Sequence, residues 1–592
     1  MLRARGPAAM AGQRGGRAAS KNSWNSRQGG KYHESGIFAA WRGLDNGSIW
    51  FHRSAGRVAS SAPGAGNPHS LMTPPLTSDS SATQPSQREA VPLDRRVFPI
   101  LGVLSLGVSC VVYSLKKQEW ADEIFTRIEV SDRSLFHLMH ALMRLGGAGM
   151  PLFYLTAWPW AHLFGVSDLS LRLFSCAGVS AAFVVLVKTL SRFFPARAAF
   201  LGVGFGMFAC MIVVDQNAEA RGYGLYLLLC ALAIDRLLRV AETPRPSRRD
   251  LVLLALTQAG VVLGHVLGLF YAGLMLAALI AADLRERRFR LKVYVCAMAG
   301  WIALLPWIPA IRASMAIAKP HGWILRPSGA DLAIGLSYWL FEGIYFPLLK
   351  GTHLGVMLGW GVGVFCVAGL IAAALYGIRD PSPVRRLAYF LGFGLILAPL
   401  ALFAVSWLVT PIWVARYMVP SALGIGLLAA GWAERNRFAR GAGGVLLGGL
   451  ILLLPIAGAV CARPDFMNVA RIDKVASGRP LVCDWVRDFT VMERYSATPA
   501  RVEYPLDWQA ALQGPAASVG AYHLLWNYRR DGYLTGNILD ESAVLSQPSF
   551  LVLDNKETNW FQLEIARNPK FAWKVLAQID ASRRILLVEC RP

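Results

Sequence analysis

The chain has 592 residues, 54% of them hydrophobic and only 16% charged, with a formal net charge of +23. That composition excludes an ordinary soluble domain and points to a polytopic membrane protein. The basic excess does not read as a nucleic-acid footprint, because the arginines lie between apolar runs, where they set membrane orientation.

Residues 1–95 are rich in Gly, Ser, Ala, Arg and Pro and carry no sustained apolar period. They are expected to be disordered. They read equally as a transit segment, a cytoplasmic tail, or an extension ahead of an internal start at Met72. The first apolar run follows at 97–115 (VFPILGVLSLGVSCVVYSL). About 20 such residues cross a hydrocarbon core as a helix, the only open-chain form that satisfies its backbone in lipid. Further runs lie near 169–190, 198–214, 221–240, 250–267, 268–284, 291–311, 353–376, 386–409, 415–433 and 441–461. Together they predict about 11 transmembrane helices over residues 96–461.

One run, Met150 to Gly165, contains Pro151, Pro159 and the aromatics Phe153, Tyr154, Trp158 and Trp160. Trp and Tyr favour the membrane interface, so this run is expected to be a surface helix rather than a span. The basic clusters Arg192/Arg197, Arg245/Arg248/Arg249, Arg285/Arg287/Arg288/Arg290, Arg385/Arg386 and Arg435/Arg437/Arg440 then share one side with the N-terminus. Positive-inside makes that side cytoplasmic. The first outer loop, 116–168, faces the other way, as does a tail at 462–592. The tail alternates strand-like and helical runs and is expected to form a small α/β extracytoplasmic domain. It shows no clustered acid–base set, which suits a role in acceptor choice or stability.

Six of the nine cysteines (Cys110, Cys176, Cys210, Cys230, Cys296, Cys366) fall in apolar runs and read as packing residues. Cys483 and Cys590 lie in the tail, where nothing in the sequence fixes their proximity for pairing. No metal-binding Cys/His spacing occurs.

The polar residues of the outer side carry the chemistry. The first outer loop opens with Trp120-Ala-Asp122-Glu123-Ile-Phe-Thr126, an adjacent acidic pair in a membrane-like sequence. Such charges are costly near a bilayer and are functional candidates by default, although an acidic pair also caps a helix N-terminus. Glu219, Arg221 and Tyr223 follow between two runs, then His265 and Tyr271, Lys319 and Arg326 in the loop 313–351, and Arg416 with Tyr417. Singly, each reads as a snorkelling cation, a packed histidine or an interfacial aromatic. Together they combine a carboxylate base with cations at headgroup depth, the set required by a lipid-linked sugar phosphate. No P-loop or dinucleotide fingerprint is present.

The ordered set WADEIFT, GMPLFY, LFGVSDLSLRLFS, QNAEARGY, GHVLGLFY, LLPWIPAI and VARYMVP resembles the GT-C superfamily of polyprenyl-phosphate-sugar glycosyltransferases. The likeness is closest to its aminoarabinose, mannosyl and lipopolysaccharide galacturonosyl branch. It departs at Met150-Pro151 and at Asn217-Ala218. The resemblance implies an inner-membrane glycosyltransferase with Asp122 as first-choice base and Glu123 as second. Arg221, Arg416, His265 and Lys319 would hold the donor phosphate, supported by Glu219, Tyr223, Tyr271, Arg326 and Tyr417. The donor would be a polyprenyl-phosphate sugar, and the acceptor a hydroxyl of a lipid, glycan or protein. No cofactor is required; a divalent metal near the acidic pair is compatible with the sequence. The rivals are a transporter or flippase, which the lack of internal repeats disfavours, and a non-catalytic subunit of a glycan assembly complex.

Overall fold

The computed structural model of the protein describes residues 94–144, 149–321, 324–329, 331–332, 369–461, 467–509, 519–555 and 560–591. Helix α1 (Asp94–Ser114) is the first apolar run, and it ends at the outer loop. That loop folds into α2 (Ala121–Val130), α3 (Leu135–Arg144) and α4 (Pro151–Phe164). Pro151 opens α4 at a position where its missing N–H costs nothing. The expected run is therefore a helix. Its buried face of Phe153, Tyr154, Ala157 and Ala161 joins the core of the outer layer.

Helices α5 (Asp168–Leu190), α6 (Ala196–Phe208), α7 (Met211–Asn217), α8 (Tyr223–Glu242), α9 (Arg248–Gly264) and α10 (Gly268–Arg285) follow. Two glycines set the central contact between α5 and α8. A Cβ on Gly224 would stand 2.1 Å from the Ser175 carbonyl oxygen, and one on Gly178 would stand 2.4 Å from the Gly224 carbonyl carbon. The two backbones touch there, which brings the first turn of α5 beside the start of α8.

Five helical stretches among the described residues are long and apolar enough to cross a membrane. They are Val97–Ser114, Asp168–Leu190, Gly268–Arg285, Leu291–Met315 and Pro383–Leu408. A sixth candidate is the pair α6 and α7, bent by 74° at its break. Pro306, which lacks an N–H, lies in a 3-10 turn, Gly300–Trp307, inside the fourth stretch. The expected count of 11 is not reproduced. Helices α8, α9 and Ser421–Arg435 form where expected but are too short or too charged along their length; α8 alone carries Asp235, Arg236 and Arg239. Most of the run 353–376 lies outside the described residues. The protein is nonetheless a multi-pass membrane protein built on these apolar helices.

The tail carries six strands: β1 (Leu481–Cys483), β2 (Val502–Leu506), β3 (Ile538–Asp540), β4 (Ser549–Asp554), β5 (Phe571–Gln578) and β6 (Arg584–Cys590). They form one sheet in the order β3-β2-β1-β4-β6-β5. The first four are mutually parallel, while β6 and β5 pair antiparallel. Cys483 is buried, Cys590 is exposed, and both are free. Strand β4 lies between their strands, and Cys483 stands opposite Leu553 while Cys590 lies beside Pro548 at the other end of β4, so their backbones are well beyond the reach of a disulfide.

The apolar core of this sheet is continuous with that of the outer loop: Ile124, Phe125, Val130 and Leu138 belong to one cluster with Phe489, Tyr528 and Val552. Phe125 meets Tyr528 edge-on at 5.5 Å. Ending the chain after Cys461 would uncover this face of α2. We predict that such a truncation melts well below the full-length protein in detergent and loses protease resistance at residues 119–144. Unchanged melting would show that the outer loop folds without the sheet.

Candidate functional site

The outer site is built on the first turn of α2. Trp120 precedes the helix in extended conformation, and Asp122 and Glu123 occupy its first turn, where carboxylates complement the helix dipole. Adjacent residues on a helix diverge by about 100°, so the two acids meet different surroundings.

Glu123 is fully buried. Arg172, itself fully buried in the first turn of α5, donates Nε to Oε1 at 2.8 Å and Nη2 to Oε2 at 2.9 Å. The Ala220 N–H adds a bond to Oε1 at 2.8 Å, and the Trp120 N–H reaches Oε2 at 3.3 Å. Burial alone would push this carboxyl up. The Arg172 hydrogen bonds and charge, with help from Lys117 and the Ala220 N–H, outweigh it and hold the group below the ordinary carboxylate range. Arg172 also donates to the carbonyls of Lys117 (2.9 Å) and Gln118 (3.2 Å). The Arg172–Glu123 pair thus holds the end of the α1 connection, the start of α2 and the turn before α8.

Asp122 is partly exposed, with Arg221 Nη2 at 3.8 Å and Arg416 Nη2 at 3.6 Å from its Oδ2. Arg221 also donates to the Asp122 carbonyl at 3.0 Å and to Thr126 Oγ1 at 3.2 Å. Arg416, in the short turn Ala415–Met418, lies over the Trp120 ring at 5.4 Å. Two arginines therefore share one accessible carboxylate, leaving a local excess of positive charge.

Beside them His265 stacks on Tyr226 at 4.8 Å, with Tyr223 at 5.4 Å and Tyr417 at 5.3 Å. Its Nδ1 accepts the Leu267 N–H at 3.1 Å, which leaves Nε2 as the donor of a neutral ring. Tyr271 donates its hydroxyl to the Tyr417 carbonyl at 3.0 Å and fixes that turn. The structure thus brings Asp122, Arg221, Arg416, His265, Tyr223, Tyr271 and Tyr417 to one region.

Other expected residues fall elsewhere. Glu219 pairs with Lys117 at 3.4 Å and accepts from Gln216 at 3.0 Å. Arg326 is exposed in the stretch 324–328, without an ion pair among the described residues. The Lys319 side chain lies outside the described residues. Among the described residues, no group of three or more His, Cys, Asp or Glu could hold a metal, so the divalent ion compatible with the sequence has no ligand set here.

Sequence reasoning missed Arg172 and Glu119. Arg172 had a signal: an arginine inside a 23-residue apolar helix is rare without a partner. Glu119 lies buried just ahead of α2, with Arg127 at 3.2 Å and Arg494 at 3.6 Å. Burial pushes its carboxyl up to about 7, with Asp168 and Glu123 adding and Arg127 and Arg494 opposing.

No family model and no curated protein matches this sequence. Solved structures do match. ArnT from Cupriavidus metallidurans bound to undecaprenyl phosphate aligns with a TM-score of 0.50 at 13% identity, over 82% of this chain and 97% of that one. The same protein in its apo state gives 0.50 at 14% identity with the same coverage. The chain has the GT-C fold, in agreement with the resemblance carried by its motifs.

Two predictions follow from this geometry. Removing one partner of a buried ion pair costs about 3–5 kcal/mol. Arg172→Met should therefore lower the melting temperature sharply, and the double variant Arg172→Met/Glu123→Leu should recover part of the loss. Equal melting of the single variant and wild type would remove the pair from its structural role. For Glu119 the sign is set by linkage. A carboxyl raised in the folded state contributes stability that is present below its unfolded value and lost as pH rises toward about 7. The wild-type melting temperature should fall between about pH 5 and 8, and Glu119→Gln should flatten that fall. An unchanged slope in the variant would assign the pH dependence to another group.

Proposed function

We propose that the protein is a membrane glycosyltransferase that takes a monosaccharide from a polyprenyl-phosphate donor and passes it to a hydroxyl of a lipid, glycan or protein. The observation that carries this reading is one accessible carboxylate, Asp122, set between Arg221 and Arg416 at the outer edge of the membrane helices. The fold shared with ArnT, crystallised with undecaprenyl phosphate, supports a donor of that class. The site would face away from the cytoplasm of the inner membrane, as the basic clusters require.

Asp122 accepts the proton of the acceptor hydroxyl. The acceptor oxygen forms its bond to the anomeric carbon while the carbon–oxygen bond to the phosphate breaks, with inversion. The electron pair leaves on the polyprenyl phosphate, whose charge grows as the sugar departs. Arg221 and Arg416 are placed to stabilise that charge, acting more on the transition state than on the bound donor. Their planar forks suit two phosphate oxygens each. His265 Nε2 is a further neutral donor. Glu123 is assigned to positioning: its four hydrogen-bond donors hold it away from the reaction, and its pairing with Arg172 fixes the turn that presents Asp122.

Purified protein incubated with a labelled polyprenyl-phosphate sugar and candidate acceptors should release free polyprenyl phosphate. A general base contributes roughly 10²–10⁴ in rate, so Asp122→Asn should lose at least about a hundredfold while folding normally. Arg416→Lys should lower kcat more than it changes KM, because charge is kept and bidentate geometry is lost. Retention of more than about a tenth of the rate in Asp122→Asn would exclude Asp122 as the base.

A further inference from the structure

The face opposite Asp122 also carries arginines, and seven of them are held by carboxylates. Asp235 takes Arg192, Arg236 and Arg239; Asp283 takes Arg290; Asp380 takes Arg385 and Arg435; Glu286 takes Arg386. Arg437 and Arg440 differ. Among the described residues neither has a carboxylate within ion-pair distance, and the buried Arg440 Nε has no hydrogen-bond partner. Both lie in the first turn of the 25-residue helix Arg437–Cys461, which begins on this face. Its far end reaches the outer loop, where Lys116 donates to the Ala459 carbonyl.

These two arginines line a cavity of about 510 Å³ together with Arg197 and Leu201 of α6 and with Gly441. The helix continues away from the arginines along a bare strip. Gly441, Gly444 and Gly448 follow Arg437 and Arg440 at helical spacing and share their side. A Cβ at Gly441 or Gly448 would meet nothing within 4 Å, and one at Gly444 would only graze Leu201 at 3.9 Å. Beside the strip, Phe438 and Val445 are exposed apolar side chains of a membrane helix.

We propose that this cavity and strip form a binding site for an anionic phospholipid, with the phosphate headgroup on Arg197, Arg437 and Arg440 and one acyl chain along Gly441, Gly444 and Gly448. Arg437 and Arg440, which pair with no carboxylate among the described residues, are placed at a helix end to recognise the phosphate, and basic pockets between membrane helices bind such headgroups. An open apolar strip running from the cations into the bilayer is suited to a lipid and has no use for free phosphate. Arginines that serve only to orient the chain would need neither the cavity nor the strip. This site stands apart from Asp122 and does not depend on the proposed chemistry there.

The test uses the full-length protein in detergent and native mass spectrometry with phosphatidylglycerol and phosphatidylcholine of the same acyl chains. Two basic side chains near an anionic surface are worth about thirty-fold in affinity. Wild type should favour phosphatidylglycerol by about that factor, and Arg437→Gln/Arg440→Gln should bring the ratio close to one. Gly444→Leu keeps every charge and fills the strip. It should weaken phosphatidylglycerol by at least about tenfold, and it keeps the proposal testable if the glutamine pair does not fold. Equal binding of the two lipids by wild type would overturn the proposal. So would an unchanged preference in the glutamine pair, unchanged binding in Gly444→Leu, or full competition by millimolar inorganic phosphate.

Discussion

The outer half of the molecule depends on the buried pair of Glu123 and Arg172. Two charges removed from water carry a desolvation cost that only good geometry and extra hydrogen bonds offset. Both are present: the pair is bidentate, and the remaining capacity of each partner goes to backbone groups of the 117–120 segment and Ala220. Those backbone groups come from two separate parts of the chain, and Arg172 itself adds a third. Because they close on one ion pair, the first turn of α2 has one orientation relative to α5 and to the turn before α8. The position of Asp122 beside Arg221 follows from that constraint.

The sheet domain completes the same arrangement from the other side. Tyr495 donates to Asp168 at 2.6 Å, and Arg494 pairs with that carboxylate at 2.8 Å, at the first residue of α5. Tyr528 donates to the buried Glu129 at 2.8 Å, and Tyr533 to Asp132 at 2.5 Å. Two of these contacts land on the loop that carries α2 and two on the first residue of α5. The loop is thereby held between α5 and the sheet, which is how a carboxylate carried on a connection between helices acquires a fixed position. The tail thus contributes to the site although it supplies none of the groups beside Asp122.

Much of this was legible in the sequence, and the parts that were not have physical reasons. Apolar length marked α1, α5 and α10, and the aromatic, proline-led run marked α4. The grouping of Asp122 with Arg221, Arg416 and His265 followed from requiring outer polar residues to serve one substrate. Ranking Asp122 above Glu123 on composition alone was beyond reach, because adjacent acids differ only in the faces they present once α2 forms. Arg172 was visible as a charge inside an apolar helix, but its partner lies 49 positions away, a pairing that periodicity does not report. Glu119 gave no signal, since its burial depends on Arg494 in the distant sheet domain. The span count is not reproduced where helices such as α8 mix apolar residues with acids and arginines of the basic face.

The charge balance of the two faces explains why one of them is a candidate reaction site. On the basic face Asp235, Asp283 and Asp380 each hold one or more arginines at hydrogen-bonding distance. Such closely bonded pairs lock helix ends together and are harder for a ligand to displace. Around Asp122, Arg221 and Arg416 both approach its accessible carboxylate, at distances too long for good hydrogen bonds. Glu123, which would have balanced the second arginine, is already bound to Arg172. The buried pair therefore has a second consequence beyond geometry. By withdrawing one carboxylate of an adjacent pair, it leaves a surplus positive charge where an anion can displace the loose Asp122 contacts. Under the proposed function, the same displacement would free the Asp122 oxygens to accept the acceptor's proton.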